Sequence, residues 1–344
     1  ESFICRGLGR SYGDSSINSK IINLSNIQKK FKISKKKKEI TCTSNFSIKE
    51  LLPMLLKENF FLNVTSGTQY VTVGGAIASD IHGKNHHKDG SFCDHVSEIK
   101  ILLANGKIIK CSKNKNRKLF ISTCGGMGLT GIILSAKIRL LEIPSSFIKE
   151  TTIKSNSLKE TLSYFKKYNH KKYIVSWIDT NAKNNNLGRG IIYIGEHTKK
   201  TNNNSSKYSS FKIPFNFPNF LLNNFLLKLL SKIFFLKSLK FKEQIVEVKK
   251  YFYPLDNIED WNKVYGKNGF VQIQILVSNK NLVKNLKKII LFFQERNQIS
   301  FVSTLKKMGK KNKNLLSFPE EGYTITFDIK NNINLKTFYN ELEV

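Results

Sequence analysis

Residues Gln69–His87 read QYVTVGGAIASDIHGKNHH. This one short segment holds a double glycine, small residues, an acid, three histidines and a lysine. A hydrophobic core does not need that mixture, and a surface rarely concentrates it. It reads as main chain brought close against a ligand, followed by polar side chains aimed into a site. Two further glycine-rich segments accompany it, RGLGRSYGD at Arg6–Asp14 and CGGMGLTGII at Cys124–Ile133. Three such loops point to a bound cofactor.

The spacing of each loop narrows the chemistry. Gly7, Gly9 and Gly13 miss the dinucleotide fingerprint, because Tyr12 stands where its third glycine belongs. No GK[ST] follows, so it is not a Walker loop either. What remains is a tight loop whose amides can converge on an anion. Gly74-Gly75 follows the β-rich VTV run and would let a planar ring or a pyrophosphate approach the backbone. Gly125, Gly126 and Gly128 form another close-approach loop leading into a strand. His82, His86 and His87, with Asp80 and Asp89 nearby, lack the spacing of a metal site, so no metal is expected. His82 and Lys84 are two apart and would share one side of an extended chain. Such a pair can bind an anionic substrate or steady a developing alkoxide.

Composition sets the frame. At 344 residues two domains are the default, and 40% apolar residues argue against general disorder. The 57 Lys+Arg against 25 Asp+Glu give a net charge of +32. That balance suits a nucleic acid or an anionic membrane. The basic residues are dispersed, however, with one tight run at Lys35–Lys38, in a chain rich in Lys, Asn, Ile and Phe. Compositional drift is weighed as the larger contributor, and no nucleic-acid partner is expected. Five cysteines without CxxC pairing suggest reduced thiols. The chain starts at Glu1 and stops inside an apparent helix, LKTFYNELEV, so both ends are expected to be truncated.

The chain divides near Ile143–Ser146, at Pro144. Before it, Ser47 with Glu50 marks a capping box opening a helix over Ser47–Asn59. Asn105-Gly106 between ILLA and KIIKC predicts a hairpin with a type I′ turn. After it, the pattern predicts helices at Leu158–Tyr168 and Asn281–Asn297. Strands are predicted at Tyr173–Asp179, Arg189–Ile194, Phe270–Ser278, Ile299–Leu305 and Tyr323–Ile329. The fold class is therefore α+β. Residues 1–144 are expected to hold the cofactor. Residues 145–344 are expected to form an antiparallel sheet covered by helices, with a flexible insert at about 198–245.

That insert contains FKIPFNFPNFLLNNFLLKLLSKIFFLKSLKFK at Phe211–Lys242. Helical periodicity from Asn219 gathers Leu222, Phe225, Leu226, Leu229, Leu230 and Ile233 on an apolar face. Asn224, Lys228, Ser231 and Lys232 form a polar stripe. It is too interrupted to span a bilayer. A helix lying at a membrane interface or on a lipid chain and an ordinary core helix stand near parity.

Together the three glycine segments resemble the FAD-binding domain of the vanillyl-alcohol oxidase/PCMH-type flavoproteins. More narrowly, they resemble the polyprenyl-phosphoryl-pentose oxidases within that family. The resemblance continues through LGRG at Leu187–Gly190, YPLDNIEDWNKVYG at Tyr253–Gly266, GFVQIQ at Gly269–Gln274 and LSFPEEGYTITFDI at Leu316–Ile329. It implies a PCMH-type FAD-binding domain, incomplete here, and an FAD-dependent oxidation of a sugar CH–OH group. It also implies where the cofactor lies. The first loop supplies Arg6, Gly7, Leu8, Gly9, Arg10, Ser11 and Tyr12. The second supplies Gly67, Thr68, Val71, Thr72, Gly74, Gly75 and Ala76, then Ser79, Asp80, His82, Gly83 and His87. The third supplies Gly128 and Ile132. His82 and Lys84 match polar pocket residues beside the flavin. Tyr12, Phe252, Gln272, Gln274, Lys306, Thr324 and Thr326 match the substrate side.

The chain also departs from that pattern. Many relatives carry a histidine in the first loop that holds FAD covalently; Tyr12 and Asp14 stand there instead, so FAD is expected to be non-covalent. Phe252 replaces a frequent tyrosine, and Thr326 stands at a position that can be Cys. The resemblance implies a C-terminal return to the FAD domain that is expected beyond Val344, so no single base is assigned. The implied substrate is a lipid-linked phosphosugar. Implied partners are a short-chain dehydrogenase that reduces the keto product, a quinone or other electron acceptor, and a peripheral membrane contact. The implied location is cytoplasmic or peripheral at the inner membrane. A soluble sugar or aldonolactone oxidase is the alternative.

Overall fold

The computed structural model describes residues 3–11, 13, 15–201, 210–218, 223–331 and 335–343. In the first part, short strands form an antiparallel sheet in the order Phe31–Ser34, Glu39–Thr43, Ile132–Glu142, Val96–Leu102 and Ile108–Cys111. Phe60–Leu62 pairs with the far end of Ile132–Glu142. The helix Ile48–Lys57 starts where the capping box predicts: Ser47 Oγ accepts from Glu50 N at 3.2 Å, and the Glu50 carboxylate accepts from Ser47 N at 2.8 Å. Its apolar face, Leu51, Leu52 and Leu55, is fully buried.

The hairpin forms, but not with the predicted turn. Leu103 O accepts from Gly106 N at 3.0 Å, and Leu103 N donates to Lys107 O at 2.9 Å. Gly106 takes positive φ (+79°) and Asn105 does not. This is a three-residue loop closed by a left-handed glycine, which fits the strand twist as well as a type I′ turn does.

The second part is built on a seven-stranded antiparallel sheet. Its order is Phe241–Glu247, Phe147–Ser155, Gly190–His197, Tyr173–Ile178, Thr304–Met308, Gly322–Lys330 and Phe270–Val277. One face carries Ile192, Ile194, Ile174, Leu305, Ile325, Phe327 and Ile273, buried under the helices Leu158–Lys167 and Leu282–Glu295. Phe293 of the second helix stacks on Phe327, centroids 3.8 Å apart and rings nearly parallel. The other face is the polar one.

Three expectations change here. The strand predicted at Ile299–Leu305 pairs only from Thr304. Ser300 Oγ accepts from Asp328 N at 2.9 Å and Ser300 O from Thr180 Oγ1 at 2.9 Å, which fixes residues 299–303 as a connection. Phe147–Ser155 and Phe241–Glu247 were not foreseen as strands, because Lys, Glu and Gln dilute their β signal. The end of the presumed insert is therefore an edge strand. Within the insert, the helix is Asn224–Lys237, and Asn219–Leu222 lie outside the described residues. It is buried through Leu227, Ser231 and Phe235, while Phe225, Leu229, Leu230 and Ile233 of the predicted apolar face stay exposed. Among the described residues, no helix is long and apolar enough to cross a membrane.

The two parts share a core. Tyr251, Phe252 and Tyr253, just after the edge strand Phe241–Glu247, are buried among Phe61, Leu62 and Val64 of the first part. Tyr253 and Thr65 share a hydrogen bond at 2.7 Å, and Gln69 N donates to Asp256 at 2.8 Å.

Candidate active site

Strand register builds the substrate side. Lys306 lies opposite Thr324, Thr326 opposite Gln274, and Asp328 opposite Gln272. Trp177 lies opposite Thr304. Cross-strand partners point to one face, so all five sheet residues expected at the substrate are brought together, on the face away from the helices Leu158–Lys167 and Leu282–Glu295. Thr304, Trp177 and Asp328 share it and were not singled out in the sequence. Only pairing register could have found them, because parity must be combined across four strands.

The loop residues meet this face at His82. Its Nε2 lies 3.1 Å from Gln274 Nε2 and 3.3 Å from Lys306 Nζ. Phe318 stacks on the ring at 5.8 Å. Burial, then the charges of Lys306 and His86, hold His82 well below the ordinary histidine value, so it is neutral. Burial brings Lys306 down to about 8. Burial also brings Lys84 to about 7; the carboxylate of Glu150 opposes that fall and the charge of Lys306 adds to it. Lys84 Nζ donates to Tyr251 O and lies 4.2 Å above the Tyr251 ring. Three nitrogen groups that titrate below or near neutrality thus line one small region. Such a region suits an anion or a proton-transfer step.

Several expected residues have other work. Phe252 is buried against Phe61 and Tyr173, centroids 4.9 Å from each, so it belongs to the shared core rather than to an open pocket. Its neighbour Tyr251, which the sequence reading missed, holds a buried hydroxyl with no hydrogen-bond partner among the described residues. His87 Nε2 meets Lys171 O at 3.0 Å, and His86 Nδ1 accepts from Gly309 N at 2.9 Å. Those two histidines tie elements together, and only His82 reaches the site. Asp80 is fully buried and accepts from Cys93 N, Asn312 Nδ2, Asn314 Nδ2 and Ser317 Oγ at 2.6–2.9 Å. Its carboxylate anchors the 309–321 segment, which carries Phe318 to His82, and is not open to a cofactor.

The three glycine loops converge. A side chain at Gly7 would stand 2.5 Å from Thr72 Oγ1, joining the first loop to the second. Gly125 N donates to Ile77 O and Met127 N to Ala78 O, both at 2.9 Å, joining the second to the third. Gly128 faces Ile4 at 3.9 Å, closing the circuit. Gly74-Gly75 do not follow a strand. They form the first turn of the helix Val73–Ala78, capped by Thr72. Their amides donate to Ser44 O and Thr72 Oγ1, and a side chain at Gly74 would meet Ser44 at 3.1 Å. Gly74 is thus pressed by neighbouring protein, while Gly75 is exposed and a side chain there would meet only Thr72 Oγ1, at 3.2 Å. Open space lies instead above Gly13 and Gly67. Arg6 and Arg10 are exposed on the first loop, Arg6 folded against Gly9 and Arg10 over the Tyr70 ring at 5.5 Å. Leu8 and Ser11 are exposed on the same loop, and Thr68, Val71, Ser79 and Ile132 are half-buried. Ala76 is in the core and Gly83 sits against Thr65 O. Tyr12 lies outside the described residues. Open glycine backbone at Gly13 and Gly67 and two exposed arginines on the first loop fit the pyrophosphate of a flavin dinucleotide. Among the described residues, no cluster of side chains could hold a metal ion.

Comparison with known proteins agrees with an FAD-binding first part. A family model described as an FAD binding domain matches residues 1–112. The chain is 32% identical to decaprenylphosphoryl-β-D-ribose oxidase of Mycolicibacterium smegmatis, over 99% of this chain and 77% of that protein. It is 28% identical to L-gulonolactone oxidase of Bos taurus, over 55% of this chain and 41% of that one. It is 34% identical to cytokinin dehydrogenase 1 of Arabidopsis thaliana, over 24% and 15%.

Proposed function

This chain belongs to the family of FAD-binding oxidoreductases that contains decaprenylphosphoryl-β-D-ribose oxidase, and we propose that it oxidises the 2′-hydroxyl of a polyprenyl-phosphoryl-β-D-ribose to the 2′-keto product. The observation that carries this reading is the contact of His82 Nε2 with both Gln274 and Lys306, where the polar sheet face meets the glycine loops.

FAD, when bound, accepts the hydride from the sugar carbon. Below about pH 8 Lys306 is a cation and donates to His82 Nε2, leaving the imidazole proton on Nδ1. An anionic group that engages Lys306, together with a sugar hydroxyl that takes the Gln274 amide, frees His82 Nε2 to accept the hydroxyl proton. Lys84, near 7, is the second group able to receive it. Gln274 and the Thr304–Thr326 hydroxyl pair, 2.8 Å apart, offer hydrogen bonds to sugar hydroxyls. Arg6 and Arg10 would hold the FAD pyrophosphate, and Gly13 and Gly67 leave room for it. FAD is held non-covalently, since the first loop contains no histidine. The keto product passes to a short-chain dehydrogenase, the electrons to a quinone or other acceptor, and the enzyme works in the cytoplasm or peripherally at the inner membrane.

Anaerobic bleaching of the bound flavin by a substrate panel tests the reading. Polyprenyl-phosphoryl ribose should bleach it faster than free pentoses or aldonolactones. Faster bleaching by an aldonolactone would instead make it a soluble lactone oxidase, the reading to which the gulonolactone oxidase relative lends support. Acid denaturation should release free FAD; flavin that stays with the polypeptide would overturn non-covalent binding.

A further inference from the structure

The helix Asn224–Lys237 is turned the wrong way round for a core helix. It is buried through Leu227, Ser231 and Phe235, one side of the cylinder. Phe235 sits with Trp177 and Ile191 on the substrate face of the sheet, under Lys154 at 4.3 Å and Arg189 at 4.2 Å. Phe225, Leu229, Ile233 and Leu236 lie on the other side, within about 80° of one another around the axis. They are 76%, 39%, 38% and 60% exposed. Leu239 and Phe241, just beyond the helix, are exposed as well. A chain that only needed a core helix would bury Phe225 and Leu236 and leave Ser231 outside; this one buries Ser231 beside Leu227 and Phe235 and leaves Phe225 and Leu236 exposed.

Charge says what covers that surface. From His197 to Lys242 the sequence contains nine lysines and no carboxylate. Lys228, Lys232, Lys237, Lys240 and Lys242 are all exposed, on and just after the helix. A second copy of the same surface would bring like charges together. A protein partner could supply carboxylates but would need no such row of aliphatic and aromatic side chains flanked by lysines. Apolar side chains between lysines suit the boundary of an anionic bilayer, where each lysine strengthens binding about fivefold.

We propose that Asn224–Lys237 is a membrane-seating helix, which lies in the interface of an anionic bilayer and holds the substrate face of the sheet against it. The helix thus has one side on the sheet that binds the sugar and the other in lipid, so a polyprenyl chain need not leave the bilayer for its headgroup to reach Lys306. This rests on the proposed lipid-linked substrate for its purpose, but not for its geometry.

The test uses the full chain with bound FAD. Flotation is measured with phosphatidylcholine vesicles and with vesicles containing 30% phosphatidylglycerol, a composition of about one anionic lipid in three. Wild type should float with the anionic vesicles and much less with the neutral ones. Replacing Phe225, Leu229, Ile233 and Leu236 by Gln, a good helix former, should cut the bound fraction at least tenfold. Lys228→Glu with Lys232→Glu should cut it by a similar amount. Both variants should keep their flavin absorbance and their bleaching by a short-chain, water-soluble prenyl-phosphoryl ribose. A polarity-sensitive dye on Ile233→Cys should shift to the blue with anionic vesicles, and the same dye on Lys107→Cys should not. Equal flotation of wild type and four-Gln protein overturns the proposal. So does a wild-type dimer that the four-Gln variant dissolves while neither floats. Failure of the short-chain analogue to bleach wild type would instead strike the proposed substrate and leave the surface standing.

Discussion

Asp80 offers a sharp perturbation, since one fully buried carboxylate joins the two halves of the site. It accepts four hydrogen bonds, three of them from the 309–321 segment. It also sits at φ +41°, in the left-handed region that Asn tolerates and Ala resists. Hydrogen bonds to a charged group are worth roughly 1.5–3 kcal/mol each. They are not additive here, because Asn312 is half-buried and can turn to water. Cys93 N, Asn314 and Ser317 stay buried and would be stranded. Three stranded donors at about 1–3 kcal/mol each, not fully additive, put the expected loss for Asp80→Ala at about 3–5 kcal/mol. Asp80→Asn keeps the backbone conformation and one acceptor, so about half of that loss is expected. Urea unfolding followed by tryptophan fluorescence measures both. Trypsin supplies a local readout, since Lys310, Lys311 and Lys313 should become cleavable in the alanine variant before the rest of the chain unfolds. A loss below about 1 kcal/mol for Asp80→Ala, with an unchanged tryptic pattern, would refute the anchoring role.

Other expectations follow from the same geometry. Lys306→Met should keep FAD but slow flavin reduction by the lipid-linked sugar at least a hundredfold, about 2.7 kcal/mol; loss of FAD on purification would show a structural role instead. Lys84→Ala should likewise cut reduction far more than FAD retention. Burial lowers Lys84 and Lys306 to about 7 and about 8 from an ordinary 10.5. Between those values and 10.5 the unfolded chain binds more protons at these two lysines, so their contribution to stability should rise with pH from about 7 to about 10, against the opposite contribution of the buried thiols Cys42 and Cys111, whose values burial raises to about 12. The difference in urea midpoint between wild type and a Lys84→Met, Lys306→Met double variant should therefore move in favour of wild type over that range; parallel slopes would contradict it. Phe293→Ala removes the partner stacked on Phe327 and should cost about 3–5 kcal/mol in the same assay.

Much of this site is legible in the sequence, and the unread part has a physical pattern. Local rules carry the capping box at Ser47, the helix at Leu282–Glu295 and the alternation at Gln272 and Gln274, because each depends on neighbours within four residues. Gly74-Gly75 marks a close approach, but glycine does not say what approaches; at Gly74 it is Ser44. Asp80, His86 and His87 look like site residues because polar side chains in a glycine-rich segment are uncommon. Their partners, Asn312, Gly309 and Lys171, lie far along the chain, and no local pattern reveals that their bonding capacity is already used. Asp328 and Thr304 are the converse. They reach the polar face only through pairing across strands, so their place is fixed by register. The helix at Asn224–Lys237 is found by its period, while its orientation depends on Trp177 and Ile191, which a helical wheel does not contain.

The aromatic triplet Tyr251–Tyr253 has a consequence for how this enzyme measures its substrate. These rings enter the first part's core from the second part, so the two halves cannot slide or hinge without emptying that core. The distance from the glycine loops to Gln274 and Lys306 is then set by packed rings, as the gap of a caliper is set by its frame. A sugar is admitted by whether it spans that fixed gap. Selectivity in such a molecule is adjusted by thickening or thinning the jaws, at positions such as Thr326, and not by moving them.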